Sequence, residues 1–268
     1  MNAKVMPRAI TALVGISILV SIIGWGRPWH FSLLVFLVTF GGLCEYFSIA
    51  FPGRRRERIL GVLLGVIVSF GMVIPGLAEP GLWLGGVIVI AFSTYLFFGE
   101  SLEEQYKHLG WTLLGTLYIG YLVPHFVFLY QSRDGRAWVF FVLLVIMAGD
   151  AAAYFVGTYL GRRKLCPQVS PGKTIEGSVG SLTASVLAGV FGGKFLLPAL
   201  PWLETLWLSF VLSVLGQVGD LFESWVKRVF SVKDSSSLLP GHGGLLDRMD
   251  SLIFPVVFTT YYLRLTYP

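Results

Sequence analysis

A short charged stretch stands beside a membrane-length apolar run near the C-terminal end of the chain. Only 13% of all residues are charged, about half of the usual share in a globular protein. The stretch 224–250 nevertheless holds seven charged residues and a histidine, namely Lys227, Arg228, Lys233, Asp234, His242, Asp247, Arg248 and Asp250. Charges gathered this densely next to hydrocarbon predict a site that handles phosphate and metal ions.

Three acids lie inside apolar runs. Asp150 is near the middle of one run, and a later run carries Asp220, from which a stripe continues at i+3, i+4 and i+7 through Glu223, Ser224 and Lys227. An ionised carboxylate in hydrocarbon costs several kcal/mol, so such acids usually face a polar cavity, a partner charge or a metal. A structural ion pair and a protonated acid shared between helices remain open as alternatives.

The end of the charged stretch combines glycines with two acids. Gly243 and Gly244 free the backbone for a tight turn, and Asp247 and Asp250 follow three residues apart at the start of the last apolar run. Two carboxylates at this spacing predict a Mg²⁺ site, although helix capping is the open alternative. His242 sits in the glycine-rich loop, where a phosphate or hydroxyl contact is favoured over a metal ligand.

A third polar cluster covers residues 161–178. Gly172, Lys173 and Thr174 are similar to the end of a Walker loop, but Pro167 stands where that loop needs glycine and no strand precedes it. We therefore predict an ordered polar turn whose cations grip phosphate, built from Ser170, Lys173, Thr174 and Glu176. The nearby basic run at 162–164 is interpreted as an anchor on anionic lipid.

Composition defines the class of protein. Hydrophobic residues make up 55% of the 268 and mean hydropathy is +0.74, which is typical of a bundle of membrane helices. We predict an all-α polytopic membrane protein with about nine spans, at 9–26, 31–51, 59–79, 81–98, 109–130, 137–160, 178–199, 203–226 and 251–267.

Orientation follows from the lysines and arginines. Fifteen fall on the side of the N-terminus and of the loops after the sixth and eighth spans, and five fall on the other side, out of 20. This distribution predicts a cytoplasmic N-terminus and places both polar loops in the cytoplasm. We expect residues 1–135 to form a membrane scaffold and 136–268 to carry the catalytic segments, 149–178 and 216–251.

Three further features leave alternatives open. Glu45, inside the second run, is either a cavity residue or a carboxylate that reaches the interface or a nearby cation. Ser101 and Glu104 form a capping-box pattern that predicts a short surface helix or a solvated loop at 99–110. Gly-xxx-Gly pairs beginning at Gly61, Gly81 and Gly157 would permit close helix contacts, and a homodimer is left open.

Two segments resemble phosphatidate cytidylyltransferases, the CDP-diacylglycerol synthases. The longer resemblance includes Ser224, Lys227-Arg228, Lys233-Asp234, Ser236, Leu239-Pro240, His242-Gly243-Gly244-Leu245 and Asp247-Arg248-Met249-Asp250. The second includes Gly149-Asp150, Ala153-Tyr154, Gly157, Gly161, Ser170-Pro171, Lys173-Thr174 and Glu176-Gly177. Gly172 and Ile175 depart from residues common in that family, where another lysine and an aromatic residue stand.

The resemblance implies transfer of CMP from CTP to phosphatidic acid at a bacterial inner membrane, with Mg²⁺ as cofactor and a second cation left open. It implies Asp220 and Asp247 as metal ligands, joined by Asp250, Asp150 and Glu223. The expected catalytic residues are Lys227, Arg228, Lys233, His242 and Arg248. The expected substrate-binding residues are Ser170, Lys173, Thr174, Glu176, Ser224, Gly243 and Gly244. Membrane lipid is an expected partner, and nucleic acid is not.

Other functions remain to be weighed against this one. A polyprenol kinase or a CDP-archaeol synthase also uses CTP on a lipid and shares parts of the chemistry. An ion-coupled transporter would also place carboxylates within its spans, but its charges would gather at the midplane rather than at one face. A membrane scaffold without activity fits poorly with the paired acids and cations.

Overall fold

The computed structural model describes residues 5–74, 79–98, 101–236, 238 and 243–267, most of which lie in helices. The helices are α1 (Val5–Trp25), α2 (Pro28–Ala50), α3 (Arg55–Val73), α4 (Pro80–Leu96), α5 (Leu102–Gly115), α6 (His125–Gln131), α7 (Gly135–Tyr159), α8 (Ile175–Leu196), α9 (Trp202–Val229) and α10 (Asp250–Thr266). A π-helical stretch, Thr116–Tyr121, follows α5, and a 3₁₀ turn, Leu246–Arg248, precedes α10.

The predicted membrane class is confirmed. Each of the nine predicted runs overlaps a helix. Among the described residues, those long and apolar enough to cross a membrane are Pro28–Ala50, Leu102–Gln131, Gly135–Tyr159, Ile175–Leu196 and Trp202–Val229, and Gly15–Trp25 and Gly81–Leu96 are shorter apolar helices. The number of spans and the cytoplasmic orientation stay predictions.

Two local features differ from the sequence-based expectation. The polar turn after α7 is an antiparallel hairpin of β1 (Lys164–Cys166) and β2 (Ser170–Thr174). Ser101 caps a helix as predicted, since its Oγ accepts a hydrogen bond from the Glu104 N–H at 3.4 Å. Residues 102–110 are therefore helical rather than a solvated loop, and the helix runs on into the apolar stretch that ends at Gln131. Its position at the membrane surface stays a prediction.

The chain forms two compact units. The first comprises Met1–Val127 with Asp234–Asp247, and the second comprises Phe128–Lys233 with Arg248–Pro268. Residues 234–247 therefore belong with the N-terminal helices, whereas the sequence analysis assigned all of 216–251 to the C-terminal half. The functional division into a scaffold and a catalytic half stays a prediction.

Glycines bring α2 and α3 together in the first unit. A Cβ on Gly61 would lie 2.4 Å from the Phe47 ring, and one on Gly65 would lie 2.5 Å from a Leu43 methyl group. This Gly-xxx-Gly pair therefore serves packing within one chain, where small residues let helix backbones approach closely.

Small residues also line the contacts of α7, α8 and α9 in the second unit. A Cβ on Gly149 would lie 2.3 Å from Ser185 Oγ, and one on Gly189 would lie 1.9 Å from Ser209 Oγ. Ser185 Oγ donates to the Val145 carbonyl oxygen at 2.8 Å, which satisfies its hydroxyl between the helices. These close contacts pack α8 against α7 and α9, and α9 also contacts β2 and α10.

Candidate active site

An ion pair joins the hairpin to α9. Lys173 Nζ on β2 lies 2.6 Å from Asp220 Oδ2, and the two side chains are 26% and 32% exposed. Strand β2 ends at Thr174, the N-cap residue of α8, so the backbone next to Lys173 is fixed. A predicted phosphate-binding cation therefore contacts a predicted metal ligand in a place partly shielded from water.

Asp150 and Asp250 lie on helices that pack against α9. Ser251 Oγ donates a hydrogen bond to Asp150 Oδ2 at 3.0 Å. A Cβ on Gly219 would lie 2.4 Å from the Asp250 carbonyl oxygen, so glycine lets α10 touch α9 next to Asp220. Helices α7 and α10 thus carry Asp150 and Asp250 against α9, and the metal-binding role of these acids and of Asp220 stays a prediction.

Glu223 follows Asp220 on the same face of α9 and is fully buried. Its carboxylate forms an ion pair with Lys227 one turn later. Ser224 Oγ lies 3.5 Å from Asp220 Oδ1. The predicted stripe therefore contains two contacting pairs, Asp220 with Ser224 and Glu223 with Lys227. The second pair is a structural ion pair of the kind left open as an alternative for buried acids.

Thr174 and Glu176 both bind local backbone groups. Thr174 Oγ1 accepts a hydrogen bond from the Gly177 N–H at 3.1 Å and so caps α8. Glu176 Oε2 accepts from the N–H groups of Arg162 and Arg163 at 3.0 and 3.2 Å. These contacts close the hairpin onto the start of α8, and substrate binding by the two side chains stays a prediction.

The cations of the second unit differ in their surroundings. The Arg228 guanidinium donates to the carbonyl oxygens of Val169 and Val232, both at 3.2 Å. It therefore ties the end of α9 to the hairpin. Lys233 and Arg248 are exposed, and their predicted contacts with substrate phosphates stay predictions.

In the first unit, Asp247 is held by the loop that precedes it. Its Oδ2 accepts hydrogen bonds from the N–H groups of Ser235 and Gly244 at 3.0 and 2.8 Å, and Ser235 Oγ lies 3.0 Å from the same oxygen. Gly243 has a φ of 78°, in the left-handed region that glycine adopts at no steric cost. The predicted glycine turn is present, and substrate contacts of Gly243 and Gly244 stay predictions.

Alanine at position 244 is expected to strain this loop. A Cβ there would lie 1.9 Å from Ser235 Oγ and 2.5 Å from Glu45 Oε2, and overpacking of this kind costs about 1–3 kcal/mol. We expect Gly244→Ala to lower the apparent midpoint of thermal unfolding in detergent by several degrees. Gly110→Ala is the matched control in the same unit, because nothing lies within 4 Å of its added Cβ. Equal midpoints for the two variants would contradict the close contact.

One predicted site residue is not described by the structure, and two serines beside predicted metal ligands were not predicted. His242 falls outside the described residues, so its predicted role stays a prediction. Ser170 begins β2 and is partly buried. Ser235 and Ser251 were not singled out, although each has its hydroxyl at 3.0 Å from a predicted metal ligand. Their one usable signal was position, because Ser251 directly follows Asp250 and Ser235 directly follows Asp234.

The acids of the second unit are of the ligand type that Mg²⁺ takes, since it binds oxygen atoms of carboxylates. Within the described ranges, no three or more His, Cys, Asp and Glu side chains form a group that could hold a metal by themselves. Mg²⁺ needs fewer protein ligands, because it binds one or two carboxylates and keeps water and phosphate oxygens. The second unit contains four of the predicted acids, Asp150, Asp220, Glu223 and Asp250. Two of them form ion pairs, Asp220 with Lys173 and Glu223 with Lys227. Asp220 and Asp247 belong to different units, and their sharing of one metal stays a prediction.

Apolar helices that carry acids paired with lysines are typical of a membrane enzyme that handles charged substrates. Residues 6–266 match the model of the Cytidylyltransferase family, and the chain belongs to that family. It is 43% identical over 246 residues to the phosphatidate cytidylyltransferase of Bacillus subtilis (strain 168), covering 88% of this chain and 89% of that protein.

Two further relatives carry the same name. The phosphatidate cytidylyltransferase of Synechocystis sp. is 31% identical, with 97% of each chain covered. That of Staphylococcus epidermidis is 33% identical, with 92% of this chain and 94% of the relative covered. The resemblance read from residues 149–250 is thus confirmed, and it extends over nearly the whole chain.

Proposed function

We propose that the protein transfers CMP from CTP to phosphatidate, forming CDP-diacylglycerol and pyrophosphate in phospholipid biosynthesis. The observation that carries the proposal is the 43% identity to the Bacillus subtilis enzyme over 88% of the chain. Membership of the Cytidylyltransferase family across residues 6–266 supports the same activity. One substrate arrives from water and the other never leaves the bilayer, which suits a membrane-embedded enzyme.

The reaction needs alignment and charge neutralisation more than a strong base. Phosphatidate is a phosphate monoester whose second pKa is about 6, so it is largely a dianion at neutral pH. One of its oxygens attacks the α-phosphorus of CTP, the bond from that phosphorus to the bridging oxygen breaks, and pyrophosphate leaves with the electron pair. The protein must hold two anions in line and offset their repulsion.

We assign this charge neutralisation to the cations Lys173, Lys227, Arg228, Lys233 and Arg248. The 2.6 Å contact of Lys173 with the Asp220 carboxylate supports the assignment, because an ammonium group can exchange a carboxylate for a phosphate oxygen. The nucleotide and the lipid phosphate are proposed to be oriented by His242, Ser170, Thr174, Glu176, Ser224, Gly243 and Gly244.

Mg²⁺ bound here would neutralise the α-phosphate and the departing pyrophosphate. Asp220 and Asp247 are proposed as its ligands, with Asp150, Glu223 and Asp250 close by and a second cation left open. The close contact of α10 at Asp250 with α9 at Gly219, next to Asp220, supports this proposal.

We place the protein in a bacterial cytoplasmic membrane with the site facing the cytoplasm. Its relatives are bacterial, and fifteen of 20 lysines and arginines fall on the predicted inner side. A homodimer is the proposed oligomer, for which Gly81 and Gly85 on α4 offer open helix surface.

Labelled CTP tests the function directly. Purified protein in detergent is incubated with phosphatidate and CTP labelled on either the α- or the γ-phosphate, with and without Mg²⁺. We expect the α-label in the lipid extract only when Mg²⁺ is present, and the γ-label to remain in water as pyrophosphate. Transfer of the γ-label to lipid would indicate a kinase instead. Absence of α-label with phosphatidate, together with labelling of an archaeal lipid acceptor, would indicate a CDP-archaeol synthase.

A further inference from the structure

Glu45 is a buried acid of α2 whose carboxylate is surrounded by hydrogen-bond donors. Its residue is only 5% exposed. Ser236 Oγ and the Leu245 N–H donate to Oε1 at 2.6 and 2.9 Å. Ser235 Oγ and the Leu246 N–H approach Oε2 at 3.0 and 2.9 Å. A carboxylate has about four acceptor sites, so the four donors match its whole capacity.

These donors come from Ser235 and Ser236 and from Leu245 and Leu246, the two ends of the loop at 235–246. A single carboxylate on α2 therefore holds these two ends together. Glycines permit the approach from both sides: a Cβ on Gly41, one turn before Glu45, would lie 2.9 Å from a Leu245 methyl group, and one on Gly244 would lie 2.5 Å from Glu45 Oε2. Glycine at positions 41 and 244 therefore leaves the space that the contact of Glu45 with the loop requires.

Ser235 connects Glu45 to Asp247. Its hydroxyl lies 3.0 Å from Glu45 Oε2 and 3.0 Å from Asp247 Oδ2, and its N–H donates to the same Asp247 oxygen. A hydroxyl has one hydrogen, so it donates fully to one carboxylate at a time. A change at Glu45 therefore alters the hydrogen bonding of Asp247 through one intervening side chain.

We propose that Glu45 is a positioning residue that holds together the two ends of the 235–246 loop, Ser235–Ser236 and Leu245–Leu246, and thereby orients the Asp247 carboxylate. The proposal rests on the proposed function, in which Asp247 is a metal ligand. Glutamine has the same length, but its NH₂ group would face two donors in place of an acceptor oxygen. Aspartate is one methylene shorter and withdraws from the loop.

The first test needs no substrate and no metal. Amide hydrogen exchange is measured over residues 243–247 in detergent-solubilised Glu45→Gln and in the unaltered protein. We expect exchange in this segment to accelerate by about tenfold or more in the variant, because the Leu245 and Leu246 amides lose a charged acceptor. Exchange in α7 and α8 of the second unit should not change.

The second test is the Mg²⁺ dependence of CDP-diacylglycerol formation. Loss of a side chain that orients a ligand typically weakens metal affinity by about 10- to 100-fold. We therefore expect Glu45→Gln to raise the Mg²⁺ concentration for half-maximal turnover by about tenfold or more, while kcat at saturating Mg²⁺ recovers most of its value. A role in stability alone would lower the active fraction without moving this midpoint.

Glu57→Gln is the matched control. Glu57 is also a buried acid of the first unit, but it lies in the first turn of α3 and its carboxylate pairs with the N-cap residue Arg54 at 3.3 Å. It should leave both readouts unchanged. Ser236→Ala removes one donor to Glu45 and gives a milder variant if Glu45→Gln fails to fold, with smaller changes in the same directions.

Three outcomes would overturn the proposal: unchanged loop exchange in both loop variants, an unmoved Mg²⁺ midpoint with reduced kcat, or equal effects of Glu57→Gln. If the unaltered protein makes no CDP-diacylglycerol, the proposed function fails, whereas the exchange experiment still decides whether Glu45 holds the loop.

Discussion

Asp220→Asn is expected to reduce CDP-diacylglycerol formation by at least about a hundredfold, the loss typical when one electrostatic contact to a transition state is removed. The substitution keeps the shape of the side chain but removes the charge that contacts Lys173 at 2.6 Å. It also removes a proposed Mg²⁺ ligand, for which an amide is a poorer donor. The measurement is the initial rate of α-label transfer from CTP to phosphatidate, at saturating Mg²⁺.

Glu204→Gln is the control on the same helix. Glu204 lies in the first turn of α9, at the other end from Asp220, and accepts hydrogen bonds from Tyr262 and Tyr267. A glutamine oxygen can accept one of these, so we expect nearly unaltered turnover. Both variants should elute as folded protein in detergent. Turnover of Asp220→Asn close to that of Glu204→Gln would remove Asp220 from the proposed metal site.

The second large effect is expected at Asp247. Asp247→Asn should also lower turnover by at least about a hundredfold, since the Oδ2 atom that accepts from Ser235 and Gly244 would lose its charge. An amide nitrogen placed there would face two backbone donors, so the side chain should either turn or release the loop. Turnover is assayed as for Asp220→Asn.

Asp134→Asn provides the comparison for this variant. Asp134 is exposed before α7, its side chain makes no capping hydrogen bond, and its left-handed backbone is one that asparagine also adopts. It should retain full turnover. If Asp247→Asn retained full turnover as well, the first unit would contribute no metal ligand from this loop.

Helices could be predicted because apolar length alone reports a membrane span. Each predicted run overlapped a helix, and the end of α9 fell within three residues of the predicted end of its run. The hairpin β1–β2 could not be predicted in the same way. Its two short strands are held by contacts such as the Glu176 carboxylate on the backbone of Arg162, which no periodic pattern records.

The residue types of the candidate site could be predicted from the sequence, but most of the contacts between its side chains could not. Charges inside apolar runs pointed to Asp150 and Asp220, and the helical spacing pointed to Glu223 with Lys227. The sequence could not tell that Lys173 contacts Asp220, because the two residues lie on separate elements, β2 and α9, that meet only through tertiary packing. Glu45 was left undecided because its donors lie some 190 residues later in the chain.

The N-terminal unit is built from two segments that are far apart in the chain. Residues 234–247 complete the N-terminal unit, but in the chain they follow Phe128–Lys233, the larger part of the second unit. A fragment that stops at residue 127 would lack the four donors that contact Glu45 and would leave its carboxylate without these hydrogen bonds. A version of the protein split at that point would need its second piece to supply this segment in trans.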